Sequence, residues 1–335
     1  MTTTLITPTG VLTLPADAPR SEWLAARRRG IGGSDALAVL GLSPYASRYT
    51  VWADKSGLLP EKDDSEAMKW GRLLEPIIAE QFTEQTGIPT ASCGLMRHVE
   101  RDWQLASVDR LTADGGVLEI KTTSQYRAAE WDDDQLADAA EAQLQHYLAV
   151  TGLEHGYAAA LIGGQRLEIR HVERDDRLIS LLIEAEAELW DMVQTGTAPA
   201  LDGSEATARA LAQIYPWADP GIAVELSDEA MAALREYVDL GRQAKEIKER
   251  RDAARNVVCA ELGEAMTGRY GGIDVVTWKN TGALDEDQLA ASAPEIVAEF
   301  TAMVPRLDRK ALAAAHPDIY EAHRGRRFNP IRKAL

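Results

Sequence analysis

Cysteine is scarce in this chain: among 335 residues only Cys93 and Cys259 carry thiols, and no C-x-x-C pair occurs. A disulfide framework, a four-cysteine zinc site and an iron–sulfur centre are therefore excluded within one chain, and reducing cytoplasm is the expected compartment. Long apolar runs are missing as well. The N-terminal stretch MTTTLITPTGVLTLP has no basic segment leading into an apolar one, and no window reaches the length of a membrane span, so no membrane partner is expected. Positive charge is in deficit, with 36 Lys and Arg against 53 Asp and Glu and a net charge of −17. That excludes coating DNA by bulk electrostatics, but leaves room for local basic patches beside a carboxylate-rich metal centre. Neither a Walker loop, which needs Gly-Lys-Ser/Thr, nor a complete G-x-G-x-x-G is present, and no internal repeat is visible.

An apolar content of 45% over this length allows one large core, or a core with an appended module. Trp23 to Arg29 reads as a short helix with Ser21 as its N-cap, running into Gly30-Ile31-Gly32-Gly33-Ser34-Asp35. Those glycines suit a tight turn and Ser34 or Asp35 a helix cap, so the stretch is an anion cradle beside Arg27, Arg28 and Arg29 or a plain capped turn. Tyr49 to Gly57 suggests a helix. Glu66 to Gln85 suggests a stronger one, with Met68, Leu73, Leu74, Ile77, Ile78 and Phe82 facing the core and Pro76 distorting it beside Glu75. Glu75 itself is a rim residue or a helix-borne acid of a site. Trp131 to Val150 reads as an alanine-rich helix on which Gln143 and Tyr147 share a face, closed by Gly152. A hairpin through Gly163-Gly164 follows, then a helix over 175–194 with Leu178, Leu181, Leu182, Ala185 and Leu189 inward. The alternation of helices and strands predicts an α/β or α+β fold, a mixed sheet covered by helices. The expected division is a core over 1–200, a proline-bearing linker over 201–224, and a mainly helical module over 225–335. In that module Ser227 caps one long helix or a hairpin broken near Gly241, Ile273 to Trp278 is a strand, Asp308 to Tyr320 is a small helix, and a basic tail carries Arg324, Arg326, Arg327, Arg332 and Lys333.

The stretch LASVDRLTADGGVLEIKTT carries the chemistry. Alternating runs over Leu105–Thr112 and Val117–Thr122 flank a turn at Asp114-Gly115-Gly116, which reads as a β-hairpin. With a three-residue loop and Gly115 in the left-handed conformation, Asp109 lies opposite Glu119, and period-2 alternation puts Lys121 on the same face as Glu119. Two carboxylates so close repel unless a cation neutralises them, and an oxygen-only pair suits Mg²⁺ or Mn²⁺. Taken alone, the hairpin is half a metal site or a surface salt-bridge ladder. Glu246-Ile247-Lys248 repeats the tripeptide within helical sequence, without a turn or an upstream Asp, and reads as a solvated helix face.

In order along the chain, Trp23-x3-Arg27 with the glycine stretch, Trp70-Gly71-x3-Glu75-Pro76, Asp109-x9-Glu119-x-Lys121, and Ala142-Gln143-Leu144-Gln145-x-Tyr147 resemble the YqaJ-type viral recombinase family. These are the phage lambda exonuclease-like members of the restriction-endonuclease-like PD-(D/E)xK nucleases. The resemblance covers about residues 20 to 195, and Arg327-Phe328 resembles the strand that ends the family's helical C-terminal extension. It implies a restriction-endonuclease-like core that digests double-stranded DNA from its ends, 5′→3′, with Mg²⁺ (Mn²⁺ as a substitute), leaving 3′ single-stranded tails for phage-type recombination. It also implies a homo-oligomer, often a ring-shaped trimer, a single-strand annealing recombinase as partner, and the cytoplasm of a bacterial host. By the same resemblance Asp109 and Glu119, with the Ile120 carbonyl, are metal ligands, and Lys121 orients and helps deprotonate the attacking water. Glu75 and Gln143 complete the catalytic set, and Arg27, with Arg28 as the alternative, binds a 5′-phosphate beside Ser34 and Ser107. Val108 stands where the motif often has proline. An endonuclease or repair nuclease on the same core, or a DNA-end adaptor that does not cleave, would use the same residues.

Overall fold

The computed structural model describes residues 6–61, 64–132, 135–219, 221–280, 283–302, 306–328 and 330, and the chain divides after Pro216 into two units. Along the first unit come β1 (Gly10–Leu14), α1 (Arg20–Arg27), β2 (Ile31–Gly32), a 3-10 turn (Gly33–Asp35), α2 (Ala36–Val39), α3 (Arg48–Lys55) and α4 (Glu66–Thr86). Next are β3 (Thr90–Ala91), β4 (Gly94–His98), β5 (Gln104–Val108), β6 (Arg110–Thr112), β7 (Val117–Thr123), a 3-10 segment (Gln125–Trp131) and α5 (Asp138–Thr151). The unit ends with β8 (His155–Ile162), β9 (Arg166–Glu173), α6 (Asp176–Thr195) and α7 (Glu205–Ile214). The mixed α+β class holds, but with two sheets: β1-β4-β5-β2, and β3-β6-β7-β8-β9. Each has one parallel pair, β2 with β5 and β7 with β8.

The expected hairpin forms, with one correction. Thr112 and Gly116 close the loop through a backbone bond of 3.0 Å, and Gly115 has φ +89°. The run Leu105–Thr112, however, is not one strand. It splits at Asp109, so that β5 belongs to the first sheet and β6 to the second. The side chain of Asp109 accepts the Ile120 N–H at 2.7 Å, which takes that donor across the bend.

Helix α5 runs through the main core, where Leu144 and Leu148 pack with Met96, Ala106, Val117, Ala158 and Ile162. Its alanines Ala140, Ala142 and Ala149 let neighbouring backbones approach from several sides. It begins at Asp138 rather than at Trp131, because arginines of β9 hold the preceding segment by its polar groups: Arg170 donates to the Trp131 carbonyl at 2.5 Å and Arg166 to Asp132 at 2.8 Å. The apolar stripe of α4 is also narrower than its periodicity suggests. Only Ile78, Ala79 and Phe82 are buried, against Leu118 and Ala159, whereas Met68, Leu73 and Ile77 are exposed along with Trp70. The helix continues through Pro76. On α6 Leu181 is exposed, and the buried face includes Glu186. This carboxylate accepts from Gln104 at 2.8 Å and lies 2.7 Å from His146 Nδ1, while His146 Nε2 donates to the Leu105 carbonyl at 2.8 Å. All three side chains are buried, and Glu186 raises the His146 pKa although burial opposes it. They tie α5 and α6 to the back of β5. Within the expected linker, α7 buries Ala206, Thr207 and Ala210, so the first unit extends past residue 200.

Ser21 lies inside α1, whose N-cap is Pro19. The glycines after α1 serve close approach rather than a left-handed turn. None of Gly30, Gly32 and Gly33 has positive φ, but a Cβ on Gly30 would stand 2.1 Å from the Trp103 carbonyl oxygen, and one on Gly33 would stand 2.6 Å from the Tyr147 ring. Their bare backbones let β2 lie against β5 and the 3-10 turn against α5.

In the second unit α8 (Asp228–Leu262) is one helix capped by Ser227, unbroken at Gly241. Then come the hairpin β10 (Thr267–Tyr270) and β11 (Ile273–Thr277), and short helices α9 (Glu286–Ser292), α10 (Pro294–Phe300), α11 (Arg309–Ala315) and α12 (Pro317–Ala322). The single helix expected over 308–320 is thus two, parted where Pro317 restarts the turn. Phe328 of the tail sets its ring edge-on to Tyr237 of α8. Arg332 and Lys333 lie outside the described residues.

Gly30→Ala must push the Trp103 backbone away and part β2 from β5. A loss of roughly 1–3 kcal/mol is expected, typical of overpacking. That is about 2–4 °C in melting temperature per kcal/mol, read by thermal denaturation beside an exposed Gly203→Ala control; an unchanged midpoint would contradict the close-approach role.

Candidate active site

The bend between β5 and β6 aims Asp109 at β7, where Glu119 and Lys121 share a face. Glu119 is 3% exposed, its Oε1 lies 2.5 Å from Lys121 Nζ, and its Oε2 is buried without a hydrogen-bond partner. Burial, and next the charge of Glu119, push the Asp109 pKa well above the usual carboxylate range, outweighing the Ile120 N–H that favours its ionised form. For Lys121 burial works the other way, yet Glu119 and Asp109 raise its pKa, so it stands as an ammonium ion.

Lys121 is held in turn. Its Nζ donates to Gln143 Oε1 at 2.8 Å, Gln143 Nε2 donates to Tyr147 Oη at 2.7 Å, and Tyr147 Oη donates to the Ser107 carbonyl at 2.8 Å. This relay crosses from β7 over one face of α5 to β5. The i, i+4 spacing of Gln143 and Tyr147 was the visible signal for Tyr147. Glu75 of α4 reaches the same place through an ion pair with Arg110, whose Nη1 also donates to the Asp109 carbonyl at 2.6 Å. Arg110 carried no sequence signal beyond adjacency to Asp109.

Arg27, Ser34, Ser107, Asp109 and Gln143 all line one cavity of about 190 Å³. The Arg27 guanidinium lies 5.4 Å from the centre of the Trp23 ring and donates from Nη2 to Ser34 Oγ at 2.5 Å. Trp23 Nε1 donates to Ser107 Oγ at 3.1 Å, so the Trp23-x3-Arg27 spacing builds a platform that joins α1 to β5. Arg28 lines only an adjoining cavity of about 310 Å³, away from Asp109. Two further residues, Asp35 and Lys55, stand behind Arg27. Lys55 gave no sequence signal.

The donor set fits a hard divalent cation. Glu119 Oε2 lacks any partner, Asp109 resists ionisation beside it, and every donor is oxygen. Among the described residues no three His, Cys, Asp or Glu side chains form a complete metal cage. Mg²⁺ needs none, since it commonly takes one or two carboxylates with water and substrate phosphate as the remaining ligands. Asp109 and Glu119 would hold it, with the Ile120 carbonyl, next to Glu119 in the chain, the expected third oxygen.

Comparison with known proteins gives four matches. Residues 22–154 match the YqaJ-like viral recombinase domain. The YqaJ protein of Bacillus subtilis (strain 168) is 35% identical over 317 residues, which is 93% of this chain and 92% of the relative. Protein D345L of African swine fever virus (strain Badajoz 1971 Vero-adapted) is 38% identical over 78 residues, covering 22% of this chain and 23% of that protein. Among solved structures, the alkaline exonuclease LHK-Exo of Laribacter hongkongensis aligns at 23% identity with a TM-score of 0.48, over 53% of this chain and 94% of its own. Among the described residues no helix is long and apolar enough to cross a membrane.

Because the folded chain binds the Asp109 proton more tightly than the unfolded chain, the stability this group contributes is present below its ordinary pKa and is lost as pH rises through the raised one. In metal-free buffer, Asp109→Asn should therefore gain in melting temperature over wild type as pH is raised from about 4 upward. Added Mg²⁺ should raise the wild-type midpoint and leave the variant's unmoved. A stability difference flat with pH would show that the two carboxylates are not in conflict.

Proposed function

Because this chain belongs to the YqaJ-like viral recombinase family, we propose that it is a divalent-metal-dependent deoxyribonuclease on a restriction-endonuclease-like core. It digests double-stranded DNA from its ends, 5′→3′, and leaves 3′ single-stranded tails for phage-type recombination. One observation carries this function: Lys121 bridges Glu119 and Gln143 beside Asp109, while a buried oxygen of Glu119 is left without a partner. A structural ion pair gains nothing from a second buried carboxylate, whereas a phosphodiesterase site requires both.

When bound, Mg²⁺ supplies a water of lowered pKa and offsets charge on the phosphoryl oxygens and the leaving 3′-oxygen. The chain's own residues do the rest. Lys121 keeps its proton and places a positive charge at the attacking oxygen; it orients the water and eases its deprotonation electrostatically, without itself accepting the proton. Gln143, fixed by Tyr147, sets the direction of the Lys121 ammonium and can accept from the same water. Glu75, ion-paired with Arg110, adds an acceptor near Asp109. Arg27 offers paired N–H donors to a terminal 5′-phosphate, Ser107 retains its hydroxyl hydrogen for that oxygen after accepting from Trp23, and Ser34 adds a second hydroxyl. Their shared cavity with Asp109 supports Arg27 over Arg28 as the phosphate ligand, and a strand terminus bound there would lie next to Asp109, as removal of nucleotides from an end requires. A homotrimer acting with a single-strand annealing recombinase in a bacterial host's cytoplasm completes this assignment, on the strength of the family alone.

Time-resolved digestion of end-labelled linear duplex with and without Mg²⁺ tests it, with covalently closed circles as the control. Mononucleotides should be released from the 5′ end of the linear substrate alone; cleavage of the circles would move the assignment to an endonuclease. Lys121→Ala should retain its circular dichroism spectrum and DNA binding and lose at least about 100-fold in kcat, the scale of removing one electrostatic donor to the transition state. Arg27→Ala should abolish the preference for 5′-phosphorylated over dephosphorylated ends, and equal wild-type rates on the two would remove the phosphate role.

A further inference from the structure

A carboxylate is out of place beside an arginine meant for phosphate, and Asp35 is such a carboxylate. It is buried, with Oδ1 3.6 Å from Arg27 Nη2, within ion-pair distance but just beyond a hydrogen bond. Arginine and carboxylate readily close into a two-point pair, which would occupy the face that Arg27 offers to phosphate and cancel its charge. Protonation does not prevent this. Although burial opposes ionisation, Lys55 and Arg27 hold the Asp35 pKa down at about 2.

What prevents it is the other oxygen. Asp35 Oδ2 lies 2.8 Å from Lys55 Nζ and accepts the Gly32 N–H at 3.0 Å. The Lys55 side chain is 0% exposed, and its Nζ also donates to the Arg27 carbonyl at 3.2 Å. A fully buried lysine is costly unless its charge is matched. Here one ammonium engages both the carboxylate that competes for Arg27 and the backbone of Arg27 itself. We infer that Lys55 is a positioning residue: by engaging Asp35 from behind, it keeps Asp35 from closing a two-point pair with the Arg27 guanidinium, which stays on Ser34 with one net positive charge facing the cavity that Asp109 lines. Charge placement agrees with this, since Asp35 borders only the adjoining cavity, whereas Arg27 borders both.

The inference rests on Arg27 as the 5′-phosphate ligand, and the test separates the two. The measured quantity is the ratio of kcat/KM on 5′-phosphorylated over dephosphorylated duplex ends, in the full-length protein with Mg²⁺. Lys55→Met frees Asp35 to close on Arg27, and the ratio should fall roughly tenfold or more, the worth of a charged hydrogen bond, through KM on the phosphorylated end and not through kcat. Adding Asp35→Asn to Lys55→Met removes the competitor and the unmatched charge together, and should restore the wild-type ratio. A merely structural pair predicts no such rescue. Should Lys55→Met fail to fold, Lys55→Gln, which keeps a polar group there but lacks the charge that holds Asp35, carries the same expectation. Retention of the ratio in the Lys55 variant, or a folded double variant that does not regain it, overturns the inference while leaving the phosphate role intact if Arg27→Ala has lost the ratio. If Arg27→Ala keeps the wild-type ratio, the phosphate role and this inference fall together.

Discussion

Repulsion between Asp109 and Glu119 is the constraint around which the first unit is built. Left to themselves, two carboxylates in a space that water barely reaches would move apart or take up protons. Neither can move: the Ile120 N–H anchors Asp109 across the bend, and β7 carries Glu119 in the middle of a sheet, paired with β8 beside it. The strain appears instead as a raised Asp109 pKa and a Lys121 ammonium drawn to 2.5 Å from Glu119. Each support then needs its own, which is why Gln143, Tyr147 and the Ser107 carbonyl follow in an unbroken line. This chain of fixed partners keeps the two carboxylates and the Lys121 ammonium from collapsing together.

A similar device recurs where Arg27 stands. Charges that could cancel one another are kept from closing a two-point pair by a third group, Lys55, as Lys121 is held by Gln143. The buried polar groups behind β5, Gln104, His146 and Glu186, fix the strand from which the Ser107 side chain and Asp109 project. Buried charges are a poor source of stability, but each is matched here, and mismatching any of them is costly. Glycine and alanine make the arrangement compact: bare backbone at Gly30 and Gly33 lets the Arg27–Ser34 segment rest on β5 and α5, which brings Arg27, Ser34, Ser107 and Asp109 to one cavity.

Much of this was legible in the residue order, and the misses share a physical cause. Alternation, a left-handed glycine and the count between Asp109 and Glu119 are local features, so the hairpin and its charged face could be read from them. Periodicity says that one side of a helix is apolar, but not how much of that side a partner covers; hence Met68, Leu73 and Ile77 are exposed although the stripe predicts burial. A composition rich in alanine suggested helix from Trp131, and two arginines of a strand more than thirty residues away, Arg166 and Arg170, decide otherwise. The glycine stretch was expected to turn, and it is short of space instead. Glu186 gave no sequence signal, because its partners, Gln104 and His146, are distant in the chain.

The order of residues was sufficient to nominate the candidate residues: paired carboxylates, a lysine two positions after an acid, an arginine seven before a serine, and too few thiols for a cysteine-built centre. These depend on residue type and on spacing within one turn or strand, which short-range backbone geometry converts directly into position. What folding alone could decide was convergence. That Arg27, Ser107 and Asp109 face one cavity, that Tyr147 rather than water receives Gln143, and that Lys55 comes to Asp35 from another helix are meetings of distant segments. Packing sets those meetings, through volumes and backbone approaches that depend on the whole core at once.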